Sequence, residues 1–483
     1  MNAKMIKKIA SIANFTLLTV CSANVAEAQN KPNIIFFLVD DLGWSDISCY
    51  GSDYYETPNI DKLTQNGVRF TNAYASCTVS SPTRASILTG KYPGRLHITH
   101  AIPIKGYLRI DGGKGTPLKD ADYVMNLPLE EVTIAEALKP AGYATASIGK
   151  WHVCDEEAYF PQYQGFDINI GGDGHGNTEN YFYPYNNRWR MAPGYPYKEW
   201  KTLPDGKEGE YLTDRLTNEA VSFIENNKDK PFFLYFAHYA VHTPIQAIKS
   251  IEEKYAKKPI DKLRDHKNPA YAAMIESVDN SMGALVDKLE KLGISKNTII
   301  IFASDNGGHG NFTSNYPFRG NKGNFYEGGI RVPLIINWPG VTTSAESDVP
   351  VISTDFYPTI LQMSNLPLNP KQHIDGISLL PILKGNGKIL REDLFWHFPN
   401  YTGTGHPNPS SPLSVIRHKN YKLIESLEDG SLELYDLEKD IKEQNNLASE
   451  KPELAKKLQK LLADWRTKTK VQMPEVNPYY QKK

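Results

Sequence analysis

An α/β fold, with a large and mostly parallel central sheet flanked by helices, is predicted by three features of the 483-residue chain. Short apolar runs containing β-branched residues alternate with longer stretches of helical periodicity, the pattern of strand-helix-strand units. Each run breaks into a loop, as buried parallel strands do. After Arg391 the pattern changes to closely spaced strands and a last helix, which predicts a smaller C-terminal α+β subdomain with an antiparallel sheet and a terminal helix.

The first strand is Asn33-Ile34-Ile35-Phe36-Phe37-Leu38-Val39, ending at Asp40-Asp41-Leu42-Gly43. Helix-like residues 133–138 precede strand-like 143–148, helix-like 212–224 precede 232–236, and helix-like 270–292 precede 298–302. Ligands of such sheets gather at the carboxyl ends of the strands. Residues 355–363 read as a helix, with Pro358 tolerable only in its first turn. Leu366-Pro367-Leu368-Asn369-Pro370 interrupts regular structure and sets the expected boundary between domains 31–370 and 371–483. Strands at 413–417, 421–425 and 432–435, a Glu428-Asp429-Gly430 turn and an amphipathic helix at 453–465 complete the chain.

Composition narrows the function. Lys and Arg number 54 and Asp and Glu 55, a net charge of −1, so no global field draws the protein to nucleic acid or anionic membranes. At the N-terminus, Lys4, Lys7 and Lys8 precede an apolar run from Ile9 to Val20 and then Ala26-Glu27-Ala28. This is the pattern of a signal peptide over residues 1–28, so an exported, periplasmic protein is expected. The run is shorter than the ~20 residues a bilayer requires, and no later segment predicts a transmembrane span. Leu18-Thr19-Val20-Cys21 leaves a lipid anchor at Cys21 as an alternative, and secretion as another. Cys49, Cys77 and Cys154 then remain, an odd number that defines no disulfide framework.

Two strand ends carry polar pairs, Asp40-Asp41 and Asp305-Asn306, each followed by glycine within two residues. If those strands are neighbours, three carboxylates converge. Their repulsion then calls for a cation, and an all-oxygen set selects Ca²⁺ or Mg²⁺ over zinc. Taken singly, each pair is also an ordinary turn after a strand. In Cys77-Thr78-Val79-Ser80-Ser81-Pro82-Thr83-Arg84, Pro82 fits the first turn of a helix, with Ser80 or Ser81 near its N-cap and Gly90 as its stop. Ser80 and Arg84 then meet at a helix N-terminus, where free N–H groups and a guanidinium favour an anion.

Here the sequence resembles the type I sulfatases of the alkaline phosphatase superfamily, whose signature is Cys or Ser, then x-Pro-x-Arg, closing on Thr-Gly. Ser80-Ser81-Pro82-Thr83-Arg84 with Leu88-Thr89-Gly90 matches it. Val39-Asp40-Asp41-Leu42-Gly43, Gly149-Lys150-Trp151-His152, His238 to Pro244, Ser304-Asp305-Asn306-Gly307 and Gly320-Asn321-Lys322-Gly323 follow in the family's order, and Leu434-Tyr435-Asp436-Leu437 closes the match. The resemblance implies an alkaline phosphatase-like fold and conversion of Ser80 to formylglycine, whose hydrate attacks sulfur. It also implies Ca²⁺, ahead of Mg²⁺, on Asp40, Asp41, Asp305 and Asn306 with Ser80 at the same site. Arg84 and Lys150 would fix the formylglycine hydroxyls and His152 would assist their deprotonation. His242 and Lys322 would contact the sulfate ester, His242 being the expected proton donor to the leaving oxygen. The serine form implies an anaerobic-type formylglycine-generating maturase as partner. Cys77 has the wrong spacing to Pro82 and Arg84 to be the modified residue.

The substrate expectation is a sulfated carbohydrate. Tyr181-Phe182-Tyr183-Pro184-Tyr185 is either a stacking surface for sugar rings or a structural loop. Asp173, His175, His397, His406 and Arg417 are candidates for sugar hydroxyls. His97 and His100 are expected at the rim or surface, and His238 in the core. The chain looks like serine-type bacterial carbohydrate sulfatases acting on galactose or N-acetylgalactosamine sulfates. The competing readings are a phosphate or phosphonate monoester hydrolase of the same superfamily and a non-catalytic glycan-binding protein in which Ser80 stays unmodified.

Overall fold

The computed structural model describes residues 31–102, 115–185, 200–402 and 410–481. The expected signal peptide, Cys21 and His406 lie outside the described residues. The central sheet has eight strands: β1 (Asn33–Val39), β2 (Gly67–Phe70), β3 (Ala144–Gly149), β4 (Ile168–Ile170), β5 (Phe232–Ala237), β6 (Thr298–Ser304), β7 (Leu334–Asn337) and β8 (Ala345–Ser347). Across the sheet they run β8-β2-β7-β6-β1-β5-β3-β4. Neighbours are parallel except at β7, which is antiparallel to both β2 and β6.

Central strand β1 is buried throughout. Ile35, Phe37 and Val39 enter one core with helices α2 (Leu212–Asn226) and α3 (Pro269–Lys291). Ile34, Phe36 and Leu38 enter the opposite core with α1 (Ser80–Thr89) and α4 (Phe356–Met363). Burial on both faces is why the strand is apolar at every position after Asn33. Register then lines up the strand ends. Val39 pairs with Ser304, Leu38 with Ala237, and Gly149 with Ala237, so the chain leaves β1, β3, β5 and β6 at one edge.

The predicted strands and helices are present, with ends shifted by one to a few residues. Strands β2, β4 and β8 were not foreseen because they are three or four residues long and follow no apolar run. The four apolar-to-polar residues of β7 sit between Pro333 and Trp338-Pro339, which masked them.

The second sheet is antiparallel and sequential: β9 (Asp393–Phe398), β10 (Leu413–His418), β11 (Tyr421–Ser426) and β12 (Leu432–Asp436). Helix α5 (Pro452–Thr469) covers it, burying Ala455, Leu458 and Leu462 in a third core. That core also contains Tyr74, Val79, Phe325 and Ile330 from the larger part of the chain. A buried ion network crosses the same seam. Lys422 Nζ lies 3.0 Å from Glu327 and 2.8 Å from Glu443, with all three side chains fully buried. Tyr74 donates its hydroxyl to Glu327 at 2.7 Å.

Burial pushes Glu443 from 4.5 up to about 7, with Glu327 adding to the shift and Lys422 opposing it. Between pH 4.5 and 7 the folded state therefore binds more protons at Glu443 than the unfolded state does. This contribution to stability is present below 4.5 and falls as the pH rises through 7. Glu443→Gln is expected to flatten that part of the stability curve, measured by chemical denaturation at pH 5, 6, 7 and 8.

Cys49, Cys77 and Cys154 are free thiols. Among the described residues no helix is long and apolar enough to cross a membrane.

Candidate active site

The aligned strand ends bring together residues up to 281 positions apart. Asp40 and Asp41 follow β1, Lys150 and His152 follow β3, His242 follows β5, and Asp305 and Asn306 follow β6. Gly149 allows the close approach on which this depends. With φ +96° it needs glycine, and a Cβ there would lie 1.9 Å from the Ala237 carbonyl oxygen.

Helix α1 supplies Ser80 and Arg84. Its N-cap is Val79, in an extended conformation and without a side-chain cap, so the expected serine cap is not formed. Ser80 is the first helical residue instead and Pro82 the third. Ser81 Oγ accepts from Ile102 N at 3.0 Å, while Ser80 Oγ turns to the strand ends. It donates to Asp40 at 3.2 Å and accepts from Lys150 Nζ at 3.1 Å. Arg84 is fully buried, with Nε 2.9 Å from Asp305 and a terminal nitrogen 2.8 Å from the same oxygen. Its other terminal nitrogen donates to the Lys150 carbonyl at 2.8 Å.

Three acids and three cations interlock here. Lys150 Nζ lies 2.7 Å from Asp40 and Lys322 Nζ 2.7 Å from Asp41. Burial pushes Asp40 up to about 8, and Asp305 and Asp41 add to the shift against the pull of Lys150. Asp41, despite burial, is held well below the usual carboxylate range by Lys322 and His242. One carboxyl of the group thus resists ionisation while the bound charges are only those of the side chains. That is the condition a divalent cation relieves.

The donor set fits such an ion. Ligand atoms of Asp40, Asp41 and Asp305 lie within 4.8 Å of one another. Asn306 gives its amide hydrogens to Asp41 at 2.8 Å and Gly307 O at 3.1 Å, leaving Oδ1 buried without a partner. Three carboxylates and one orphaned amide oxygen form an all-oxygen set suited to Ca²⁺ or Mg²⁺.

The two histidines are held neutral. Burial lowers His152 well below its ordinary value, with Lys150 and Arg84 adding. Its Nε2 donates to the Ile102 carbonyl at 3.1 Å, so Nδ1 carries the lone pair, buried and without a partner. Burial brings His242 down to about 3, with Lys322 adding. Its Nδ1 donates to the Thr243 carbonyl at 2.9 Å and Nε2 lies 3.6 Å from Asp41. Asp41 (φ +59°) and His152 (φ +56°) both hold left-handed backbone, a conformation that clusters at functional sites.

The predicted sugar-contacting residues divide. Asp173 and His175 stand beside the cluster, paired through His175 Nδ1 at 2.7 Å, and the Asp173 carbonyl accepts from His152 N at 3.0 Å. His397 and Arg417 do not join them. His397 is buried, with Nδ1 2.8 Å from Ser414 Oγ and Nε2 2.8 Å from the Gln472 carbonyl. The Arg417 guanidinium lies 5.2 Å over the Tyr74 ring. Both tie β9 and β10 to their surroundings, because a strand at a core boundary turns its polar side chains to the nearest backbone acceptors. His397→Ala is expected to cost about 2–4 kcal/mol of stability while leaving turnover within about twofold, as denaturation and steady-state assays would read.

The Nε2 atoms of His97 and His100 bond the carbonyls of Lys470 (3.0 Å) and Tyr401 (3.1 Å). His238 sits in the core between Phe37 and Phe236. Tyr181 is a buried strut whose hydroxyl meets the carbonyls of Tyr239 (2.6 Å) and His242 (2.9 Å), fixing the His242 segment. Asp46 was missed by sequence reasoning. Its carboxylate accepts from Gly43 N at 2.8 Å, Tyr271 at 2.7 Å and Thr313 at 2.6 Å, bracing the loop after Asp41. No sequence signal joins partners more than 200 positions apart.

Comparison with known proteins agrees with this arrangement. The Sulfatase family model matches residues 32–366, and that of the C-terminal part of N-sulphoglucosamine sulphohydrolase matches residues 319–468. A sulfatase of Formosa agariphila is 35% identical over 95% of this chain and 94% of its own. Human N-acetylgalactosamine-6-sulfatase is 32% identical over 77% of this chain and 69% of its own. The crystal structure of Ps i-CgsB in complex with k-i-k-neocarrahexaose matches with a TM-score of 0.75 at 30% identity, over 90% of this chain and 92% of that one. Motif order, fold and relatives converge: the chain belongs to the type I sulfatases of the alkaline phosphatase superfamily and is a sulfuric ester hydrolase.

Proposed function

We propose that this enzyme is exported and hydrolyses sulfate esters of carbohydrates, galactose or N-acetylgalactosamine sulfates foremost, using a formylglycine made from Ser80 by a maturase. The observation that carries the reading is Ser80 Oγ between Lys150 Nζ and Asp40, beside the converging carboxylates. The relatives named for N-acetylgalactosamine-6-sulfatase support the sugar class.

The formylglycine supplies a hydrated aldehyde as nucleophile, in place of a hydroxyl too weakly acidic to serve. A hard divalent cation, Ca²⁺ before Mg²⁺, would be held by Asp40, Asp41, Asp305 and Asn306, with the converted Ser80 at the same site, and would supply positive charge at the sulfate oxygens. Lys150 and Arg84 hold the side chain at position 80 and its surrounding carboxylates in place. His152 offers its Nδ1 lone pair as the proton acceptor. On the opposite flank, Lys322 holds a proton before substrate arrives, while burial and Lys322 keep His242 neutral beside Asp41. The leaving oxygen takes its proton from this Lys322–His242 flank.

The test pairs matched aryl sulfate and aryl phosphate esters with peptide mass spectrometry at Ser80. Conversion lowers the peptide mass by about two hydrogens, and the sulfate ester should turn over faster. Faster phosphate turnover would favour the phosphomonoesterase reading, and unconverted Ser80 in protein from the native host would favour a glycan-binding role.

A further inference from the structure

A cavity of roughly 520 Å³ opens between residues 265–268 and the loop 310–321. Asn321 of its lining directly precedes Lys322 of the active cluster, and Gly310 directly follows His309. His309 lies within reach of the charges on Asp41 and Lys322. Lys322 itself sits 2.7 Å from Asp41. A molecule whose sulfate rests at Lys322 therefore has this cavity beside it.

The walls are built for a polar, uncharged guest. Asn268, Asn311 and Asn321 present amides, and Phe312 and Phe318 present apolar rings. Amides that donate and accept, set beside an aromatic surface, match the hydroxyls and the C–H face of a pyranose. The charged lining groups, Asp265 and Lys267, pair with each other at 2.9 Å and leave no net charge for a second sulfate. Asn321 is 92% buried, and its Oδ1 has no hydrogen-bond partner, an acceptor lacking a donor. A side chain at position 310 would come within 2.7 Å of Asn321 Nδ2, so glycine there keeps room for the amide. The size falls in the range of roughly 300–1,000 Å³ typical of ligand sites.

We propose that this cavity is a subsite for an unsulfated sugar residue adjoining the sulfated one, which makes an oligosaccharide, rather than a free monosaccharide, the preferred substrate. The inference rests on the carbohydrate sulfatase reading above. The test uses protein with converted Ser80 and compares three probes: 4-nitrocatechol sulfate, N-acetylgalactosamine 6-sulfate, and a trisaccharide carrying that residue between unsulfated sugars. Asn311 is exposed, so Asn311→Ala should fold as the wild type does, and Phe312→Ala is the second variant, each checked by thermal melting.

The wild type should favour the trisaccharide over the monosaccharide about tenfold in kcat/KM. Asn311→Ala should lower trisaccharide kcat/KM about three- to tenfold, the effect of a lost uncharged hydrogen bond, mainly through KM. Its turnover of 4-nitrocatechol sulfate should stay within about twofold of the wild type. Equal wild-type kcat/KM for monosaccharide and trisaccharide, or variants that retain the full preference, would overturn the subsite and leave the sulfatase reading intact. Failure of converted wild type on every sulfate ester would overturn that reading and the subsite with it.

Discussion

Ser80→Ala is expected to lower sulfate ester turnover by roughly four orders of magnitude or more, the scale on which enzymes lose activity when a nucleophile is removed. The fold should survive. Alanine is the best helix former, and the lost Oγ contacts are those to Asp40 and Lys150, which remain 2.7 Å apart as a pair. Steady-state turnover of an aryl sulfate and a thermal melt of the same preparation separate the two effects. A variant that melts like the wild type yet keeps a tenth of its activity would remove Ser80 from the chemistry.

Asp305→Ala should act on stability as strongly as on activity. Arg84 is fully buried, and Asp305 is its closest acid, 2.8–2.9 Å from two guanidinium nitrogens. Asp40, at 3.7 Å, is already engaged with Lys150. Removing Asp305 leaves an uncompensated buried charge, a change that costs about 3–5 kcal/mol. The same substitution deletes one oxygen of the proposed cation site. Calcium added to chelator-treated wild type should raise its denaturation midpoint, since a ligand that binds only the folded state stabilises it. Calcium should do far less for Asp305→Ala. Equal calcium-dependent shifts in both proteins would take Asp305 out of the cation site.

The parts of this molecule readable from sequence are those governed by short-range rules. Residues 33–39 announce a buried strand because both faces of β1 are covered, and Gly90 (φ +70°) closes α1 as glycine does at a helix end. The pairs Asp40-Asp41 and Asp305-Asn306 suggested a common site because each follows such a strand, and the β1–β6 register does bring them together. What escaped notice depends on distant partners. Asp46 becomes a brace only through Tyr271 and Thr313, and Tyr181 becomes a strut only because the β5 loop passes its hydroxyl. His397 and Arg417 look like ligand-facing groups until the packing of β9 and β10 shows their acceptors in the protein itself.

The enclosure of α1 has a bearing on the order of events in the life of the chain. All ten of its residues are buried, and a late segment reaches it, Gln372 donating to the Thr89 carbonyl at 3.2 Å. A backbone so enclosed cannot be threaded into the catalytic groove of another macromolecule. An enzyme that rewrites the side chain at position 80 must act on the unfolded polypeptide, before the later strands arrive. With Ser80 converted as proposed above, activity in a heterologous host is decided by timing ahead of folding, and protein already folded without that chemistry cannot recover it afterwards.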